Sequence, residues 1–465
     1  MVLEIDSPLG PLPDGWILAH LVDLTTKIGS GATPLGGDAA YLAVRDKYAL
    51  IRSQNIFDRK FDSKNLAYIS SQDARRLDGV EVQPKDILLN ITGDGITFSR
   101  ACMVDPTVLP ARVNQHVSII RAKKEILDPG YLLSYLTHPQ IKYYMESYNA
   151  GGSRRALTKA HIESFVIPLP PIEEQRAIAR ILGSMDDKIE ANRRMNQTLE
   201  ALARTLFKSW FVDFDPVQAK SEGREPAGMD AETAALFPDG FEESEGRMVP
   251  RGWKVGKLGE YLLNFDSNRV PVSGAERCKR KGLYPYHGAA GIMDYIDDYL
   301  FDGIYVLVGE DGSVIQEKGL AVTQYVWGRF WANNHAHVLQ GKGAISSEQL
   351  YLYFQSETVA PYVTGAVQPK LSQGRMNGMP FLFAGDDVCT AFARIVLPFF
   401  AFLRSNVDCS NSLIAMRDAL LPMLISGELR VKNADNSLPE HILSNTSDIT
   451  DRNKEASYVT QKNIH

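Results

Sequence analysis

An internal repeat limits what this chain can fold into more than any other feature of its sequence. Five short motifs occur twice in the same order, at 13–16 and 250–253, 86–95 and 303–312, 114–117 and 333–336, 132–136 and 350–354, and 157–159 and 371–373. Ordered repetition of this kind indicates one structural unit used twice. The spacing between the copies changes most between Leu21 and Asp86, which predicts two similar domains that share a scaffold and differ in one variable region.

A long helical pattern follows each copy of the repeat. Apolar residues recur at alternating steps of four and three between 178 and 210, and again between 392 and 424. Such a heptad seam predicts a helix that packs against another helix. Polar residues interrupt both seams at the same step, namely Asn192, Asn196, Asn406 and Ser410. Because a polar layer fixes the register of a helix pair, we predict antiparallel packing with these layers near the crossing. The alternative is that each helix lies separately on its own domain.

These patterns predict an α+β chain with two similar α/β domains and two long helices that form an antiparallel coiled coil with pseudo-twofold symmetry. The predicted segments are 1–170 for the first domain, 171–213 for the central helix, 214–247 for a linker, 248–384 for the second domain, 385–428 for the distal helix and 429–465 for a disordered tail. The acidic, Pro- and Gly-containing stretch at 213–248 favours an extended connector. Pro398 predicts a kink or a late start in the distal helix.

Composition limits the class of protein and its compartment. A chain of 465 residues is too long for one ordinary core. Its first residues lack the basic and apolar regions of a signal peptide, and no uninterrupted apolar run has the roughly 20 residues that span a bilayer. Four scattered cysteines predict buried thiols in a reducing cytoplasm. The net charge of −6 counts mildly against nucleic acid as a partner.

Motifs for catalysis are missing from the sequence. There is no phosphate-binding G-x-x-x-x-G-K-[ST] loop, no G-x-G-x-x-G fingerprint, and no Asn-Pro-Pro-Tyr type stretch of an amino-methyltransferase. His335 and His337 could share a metal ion, but we predict a structural role because no further ligand cluster lies near them in sequence. We therefore expect no catalytic centre and no bound metal. A stand-alone enzyme that acts on nucleic acid stays open as an alternative.

Longer motifs resemble those of the specificity subunits of type I restriction–modification enzymes. They are LPDGW at 12–16, IPLPPIEEQ at 167–175, LFKSWFVDFDP at 206–216, EGREP at 222–226 and LLPMLISGEL at 420–429. With the repeat, the resemblance covers nearly the whole chain up to Leu429. The chain departs from the family pattern at 380–385, where PFLFAG stands in place of a Pro-rich strand end followed by Glu-Gln.

The resemblance implies a sequence-specific DNA-binding subunit without catalytic activity. Two target recognition domains would each recognise one half of a split DNA sequence, and the two long helices would act as a spacer. The helices would dock two methyltransferase subunits, and two restriction subunits could join them. S-adenosylmethionine, ATP and Mg would then be bound by those partners and not by this chain. The alternative function is a coiled-coil scaffold with two protein-binding domains.

Candidate DNA contacts lie in a basic loop near the end of each domain. The residues are Arg154, Arg155 and Lys159 in the first domain, and Lys370 and Arg375 in the second. Arginine and lysine in such loops can bind phosphate oxygens, and arginine can also bind a guanine edge. The variable segments at 27–76 and 264–286 add Arg59, Arg75, Arg277 and Lys279. The alternative is that these are ordinary solvated basic loops.

Overall fold

The computed structural model describes residues 7–93, 96–148, 155–244, 246–365 and 367–431. The described chain divides into two compact units, of which the second comprises Ile189–Ser412 and the first the residues before and after it. Each unit contains one copy of the repeat together with a part of both long helices.

In its described residues, the first unit holds thirteen strands and four short α-helices before the first long helix. The strands are β1 (Ile17–His20), β2 (Thr25–Ser30), β3 (Tyr48–Ile51), β4 (Ile56–Phe57), β5 (Lys60–Phe61), β6 (Ala67–Ile69), β7 (Ile87–Asn90), β8 (Thr92–Gly93), β9 (Ala101–Met103), β10 (Ala111–Val113), β11 (Val117–Ala122), β12 (Arg155–Ala156) and β13 (Val166–Leu169). The helices are α1 (Ser71–Arg76), α2 (Pro129–Leu136), α3 (Pro139–Ser147) and α4 (Lys159–Glu163), followed by α5 (Ile172–Phe211). The central sheet has the order β2-β11-β7-β9, and its apolar strands β7 and β11 are buried on both faces.

The second unit is built on a six-stranded sheet of order β17-β22-β20-β21-β18-β19. Its strands are β14 (Phe241–Ser244), β15 (Arg247–Pro250), β16 (Lys254–Lys257), β17 (Leu262–Asn264), β18 (Lys281–His287), β19 (Ile292–Ile296), β20 (Phe301–Gly309), β21 (Thr323–Ala332), β22 (Ala336–Gly341) and β23 (Pro380–Phe383). Its helices are α6 (Asp215–Ser221), α7 (Ala231–Ala235), α8 (Gly274–Lys279), α9 (Ser347–Phe354), α10 (Gln373–Asn377) and α11 (Asp386–Ser426).

Equivalent hydrogen bonds hold the same elements together in both copies of the repeat. The Leu21 N–H donates to the Phe165 carbonyl in the first domain, and the Leu258 N–H donates to the Met379 carbonyl in the second, each at 2.8 Å. In both domains the strand after the Gly-Trp motif pairs antiparallel with the last strand, β1 with β13 and β16 with β23. The repeat seen in the sequence is therefore a repeat of structure.

One part of the sequence alignment between the copies is wrong by two residues. The alignment placed Asn90 of β7 on Leu307. In the structure, Asn90 pairs with Val117, and Gly309 pairs with Ala336, which is the aligned equivalent of Val117. Asn90 is therefore the equivalent of Gly309. Because side chains alternate between the faces of a strand with a period of two, a slip of two residues leaves the apolar pattern intact.

The two long helices pack on each other in an antiparallel arrangement, as predicted. Within the second unit, the Asn192 amide of α5 donates to the Asn406 carbonyl at 3.2 Å and to Ser410 Oγ at 3.1 Å. The Asn406 amide of α11 donates to Asn196 Oδ1 at 2.9 Å. The four polar residues of the two seams thus lie together. With 40 residues in α5, the helix is about 60 Å long.

The predicted extended connector at 213–248 is folded instead. It forms α6, α7 and the β14–β15 hairpin, and it buries Val217 and Phe237 in the core of the second unit. Phe237 packs edge-to-face on Trp210 with ring centroids 4.9 Å apart. The composition of this segment is acidic and rich in Pro and Gly, so its few buried apolar residues did not stand out in the sequence. These few residues are sufficient to hold short helices and strands on an existing core.

The distal helix and the chain after it also differ from expectation. Helix α11 starts at Asp386 and continues past Pro398, so the predicted late start is wrong. The predicted disordered tail begins too early, since Leu429 and Val431 pack against the core of the first unit. Arg430 binds both carboxylate oxygens of Glu174 at 2.7 and 2.9 Å. The rest of the predicted tail, 432–465, lies outside the described residues.

Among the described helices, α11 is long and apolar enough to cross a membrane by length and composition alone. Phe392, Val396 and Phe400 are buried in the core of the second unit, and Leu424 and Ile425 are buried in the core of the first. Of the apolar stretch of α11, 33% is buried, and Leu397 and Phe402 are exposed, so packing in these cores accounts for only a part of its apolar composition.

The cysteines divide into two kinds. Cys102 and Cys389 are buried, whereas Cys278 and Cys409 are exposed, so the prediction of buried thiols is right for two and wrong for two. Burial raises the pKa of Cys389 to about 11, which makes its thiol a poor nucleophile at neutral pH.

We expect acid to destabilise the first domain through His138. This buried residue caps α3, because its Nδ1 accepts the Gln140 N–H at 3.1 Å, and burial lowers its pKa from 6.5 to about 4. Between these pH values the unfolded chain binds a proton that the folded chain does not, so stability falls as the pH is lowered. In His138→Asn, an uncharged cap replaces the ring. Urea unfolding from pH 6.5 to about 4 should show a weaker loss of stability for this variant than for wild type. Parallel curves would contradict the role of His138.

Candidate nucleic-acid interface

The basic loop of the first domain is anchored where the central sheet ends. The Leu157 N–H donates to the Ile91 carbonyl at 2.8 Å, and the Ile91 N–H donates to the His116 carbonyl at 3.0 Å. These bonds join the loop, the end of β7 and the residue before β11. Because the anchors are backbone groups, the basic side chains beside them remain available for other contacts.

Two of the three predicted contacts in this loop can be located. Arg155 starts β12 and forms an ion pair with Glu146 at 2.6 Å, and Lys159 pairs with Glu163 at 3.3 Å. The Lys159 side chain is 64% exposed, and that of Arg155 is half-exposed. Exposed ion pairs contribute little to stability, so either cation can exchange its carboxylate for a phosphate at low cost. Arg154 lies outside the described residues.

The basic loop of the second domain has the same backbone anchors. The Leu371 N–H donates to the Glu310 carbonyl, and the Glu310 N–H donates to the His335 carbonyl, both at 2.8 Å. Beside these anchors, the half-exposed Lys370 pairs with the Glu310 carboxylate at 3.4 Å. Arg375 is exposed on α10. The structure therefore places a basic side chain next to the same three-segment junction in both domains.

A short helix in each variable segment, not predicted from the sequence, carries further exposed cations. The Ser70 hydroxyl accepts the Asp73 N–H at the start of α1, and the Ser273 hydroxyl accepts the Glu276 N–H at the start of α8. The S-x-x-[DE] spacing is a helix-start signal that would have revealed both helices. The basic residues in their last turns include the exposed Arg75 and Lys279.

The structure corrects the prediction of a DNA contact for Arg59. The Arg59 side chain is only 6% exposed, and its Nε binds Asp186 of α5 at 2.7 Å. Its guanidinium also donates to the hydroxyls of Ser134 and Thr137 at 3.1 and 3.2 Å. Arg59 therefore fastens the β4–β5 turn to helices α2 and α5. This structural role of Arg59 could not be predicted from the sequence, because its partners Asp186, Ser134 and Thr137 are distant in sequence.

Arg277 is also engaged within its own domain, so a DNA contact by this residue stays a prediction from the sequence. Its guanidinium donates to the Val272 carbonyl at 2.6 Å and binds Asp294 at 3.3 Å. It also lies over the ring of Tyr286, at 4.9 Å from the centroid. These contacts hold α8 against β18 and β19, so Arg277 supports the variable segment from within.

A group of potential metal ligands surrounds His337, contrary to the expectation that none lies near. The ligand atoms of His337, Asp266 and Glu310 lie within 4.8 Å of one another. However, Arg269 binds Glu310 at 2.8 Å and Asp266 at 3.5 Å, and Lys370 binds Glu310 at 3.4 Å. Each carboxylate already has a cationic partner, so the group is an ion-pair network. His335 is not a member of this group and pairs with Asp311.

Residues 55–201 and 250–381, more than half of the chain, match the family described as type I restriction modification DNA specificity domain. The chain belongs to this family. The family domain occurs twice, in agreement with the internal repeat, and the resemblance inferred from the motifs is confirmed.

Full-length relatives support the same assignment to the type I DNA-specificity family. The specificity subunit of the type I restriction enzyme MjaIX from Methanocaldococcus jannaschii is 24% identical over 449 residues, or 92% of this chain and 96% of the relative. That of HindI from Haemophilus influenzae is 26% identical over 376 residues, or 68% and 81%. A crystal structure of the S subunit from M. genitalium superposes with a TM-score of 0.54 at 15% identity, covering 90% and 98% of the two chains. The superposition shows a shared fold.

In this family member, we expect Arg59 and Arg75 to respond differently to substitution by alanine. Arg59→Ala removes a charged hydrogen bond from Asp186, which should lower the free energy of unfolding by about 2 kcal/mol. Arg75→Ala removes an exposed side chain, so its effect on stability should stay within about 0.5 kcal/mol. Urea unfolding of the full-length variants measures both. A stable Arg59→Ala variant would show that this ion pair does not secure the β4–β5 turn.

Proposed function

We propose that this chain is the non-catalytic subunit that recognises a split DNA sequence for a type I restriction–modification complex. The observation that carries the proposal is the pair of equivalent domains, each with exposed basic residues at the same junction of its sheet. Family membership supports DNA specificity as the task. Different variable segments on a shared scaffold suit the recognition of two different half-sequences.

The long helices would set the distance between the two half-sequences. One turn of B-DNA measures about 34–36 Å, and a helix as long as α5 spans more than that. The gap between the half-sites would thus depend on helix length, and the bases recognised would depend on the domain surfaces. The polar layer around Asn192 and Asn406 would keep the length of this spacer constant by fixing the register of the helix pair.

Partner subunits would supply the chemistry. Two methyltransferase subunits docked on the helices would bring S-adenosylmethionine, and two restriction subunits could bring ATP and Mg. This chain would bind duplex DNA in the cytoplasm through charged loops. The proposed contacts are Arg155, Lys159, Lys370, Arg375, Arg75 and Lys279, and Arg154 stays a prediction from the sequence.

Methylation-aware sequencing of the host genome tests this function. Deleting the chain should abolish methylation at one split motif, and replacing 248–384 by the same region of a relative should change only one half of that motif. Such a result would separate DNA recognition from the alternative of a protein-binding scaffold, in which no motif would change. Exchange of 1–170 is the matched control, since it should alter the other half. DNA cleavage or methylation by the purified chain alone would contradict a non-catalytic role.

A further inference from the structure

The ring of His337 joins two segments of the second domain that are far apart in sequence. Its Nδ1 lies 2.6 Å from Asp266 Oδ2, and its Nε2 lies 2.8 Å from the carbonyl oxygen of Leu371. The side chain is fully buried. Asp266 belongs to the variable segment, and Leu371 directly follows Lys370 in the basic loop. One side chain therefore connects the variable segment to the loop that carries a candidate DNA contact.

Both ring nitrogens act as donors in this arrangement. A carbonyl oxygen can only accept, so Nε2 carries a proton toward Leu371. Asp266 accepts the Val338 N–H at 2.9 Å and the Asn264 amide at 3.1 Å. Burial alone would raise the pKa of Asp266, but the hydrogen bond from His337, its charge and the charge of Arg269 bring that pKa below its usual value. Asp266 Oδ2 thus lies among donors, and Nδ1 of His337 is placed to donate to it.

Neighbouring charges favour a proton in this position over a divalent cation. Arg269 bridges Asp266 and Glu310, and Lys370 contacts the second carboxylate oxygen of Glu310. A metal ion between His337 and the carboxylates would lie beside the cations of Arg269 and Lys370. The imidazole ring of His337, by contrast, has a hydrogen-bond acceptor at each end.

From this geometry we propose that His337 is a positioning residue, which holds the basic loop at Lys370–Leu371 in place for DNA. The proposal rests on the proposed function of the second domain. The Lys370 N–H and the Leu371 N–H already donate to Thr364 and Glu310 at 2.7 and 2.8 Å. His337 adds the bond to the Leu371 carbonyl, a side-chain contact that ties this backbone to the variable segment beside the ion pairs of Glu310.

The first domain is built differently at the same place. Strand pairing makes Ser118 of β11 the equivalent of His337 and makes Ile91 the equivalent of Glu310. Neither a serine nor an isoleucine there can link the loop to a variable-segment carboxylate through an imidazole ring. The effect of His337 should therefore be confined to the half-sequence recognised by the second domain.

Two substitutions distinguish the hydrogen bond of His337 to Leu371 from its hydrogen bond to Asp266. His337→Gln places an amide near the position of Nε2 and can keep the bond to Leu371, whereas His337→Asn places one near Nδ1 and can keep only the bond to Asp266. Hydrogen exchange of the full-length chain should be faster in peptides covering 367–371 for His337→Asn and close to wild type for His337→Gln. His287→Gln, at another buried histidine of the same domain, is the matched control and should leave this loop unchanged. Equal acceleration in both His337 variants, or none in either, would overturn the proposal.

DNA binding supplies the functional readout. The probe is duplex DNA containing the split motif found by methylation sequencing, added to the chain with its methyltransferase partners. His337→Asn should lower affinity about tenfold and reduce the salt dependence by about one phosphate contact, while His337→Gln should retain affinity. Adding Lys370→Met should cost less affinity in His337→Asn than in wild type, because coupled residues are non-additive. Additive losses would overturn the link to Lys370.

Two further outcomes are decisive. A divalent metal ion that raises the unfolding temperature of wild type but not of His337→Asn would show a metal site and overturn the proton-bridged arrangement. If wild type binds no specific duplex but the exchange pattern is as expected, the proposed function fails and the positioning of the loop by His337 stands.

Discussion

Buried amide hydrogen bonds between α5 and α11 fix the register on which the second unit depends. An apolar heptad seam alone would tolerate a shift of one heptad with similar packing, because each apolar residue would meet another. The Asn192 amide has its partners, Asn406 and Ser410, only in one register, and a shift would leave polar groups buried without hydrogen bonds. Since α11 follows directly after β23, this register also determines where the last strand of the domain meets the helix pair. Near the other end of the contact, Phe211 packs on Phe392 at 5.0 Å in the same register.

Ion pairs also fix the position of the variable segments, because their partners, like those of the buried amides, are in reach in one arrangement only. The variable segment of the first domain also contributes buried apolar side chains, among them Ile51, Ile56 and Ile69. In the first unit, Asp186 of α5 receives Arg59 from a variable turn and Arg417 from α11, at 2.7 and 2.9 Å. Breaking a partly buried ion pair leaves an uncompensated charge, which is costly. The pair therefore favours the one geometry in which both charges are satisfied, even where its net contribution to stability is small. In the second unit Arg277 and Arg269 act in the same way on α8 and the preceding loop. Arginine is suited to this task because its planar fork binds several acceptors at once.

The repeat and the heptad seams made the overall architecture predictable from sequence, since both are periodic signals that survive without knowledge of tertiary contacts. The placement of α5 and the antiparallel pairing followed from them. What could not be predicted depends on contacts distant in sequence. The two-residue slip between β7 and β20 was invisible because strand periodicity is two. The burial of Phe237 required an aromatic partner, Trp210, that only the fold provides. Arg59 and Arg75 have the same chemistry and lie in the same variable segment, yet one is buried and the other exposed, and only the positions of the surrounding acceptors decide between them.

The net charge of −6 and a role in binding DNA are compatible because of where the carboxylates lie. In both basic loops the cations rest against acidic partners, Arg155 against Glu146 and Lys370 against Glu310. In free solution such pairs keep long basic side chains from extending at random, at almost no cost in stability. In the proposed DNA complex, each cation would exchange its carboxylate partner for a phosphate. Glu310, however, stays bound to Arg269 when Lys370 leaves it, so the carboxylate is not left buried and unpaired. A locally balanced network can therefore release a cation to DNA without destabilising the domain, and the charge of the whole chain says little about the surface that DNA would meet.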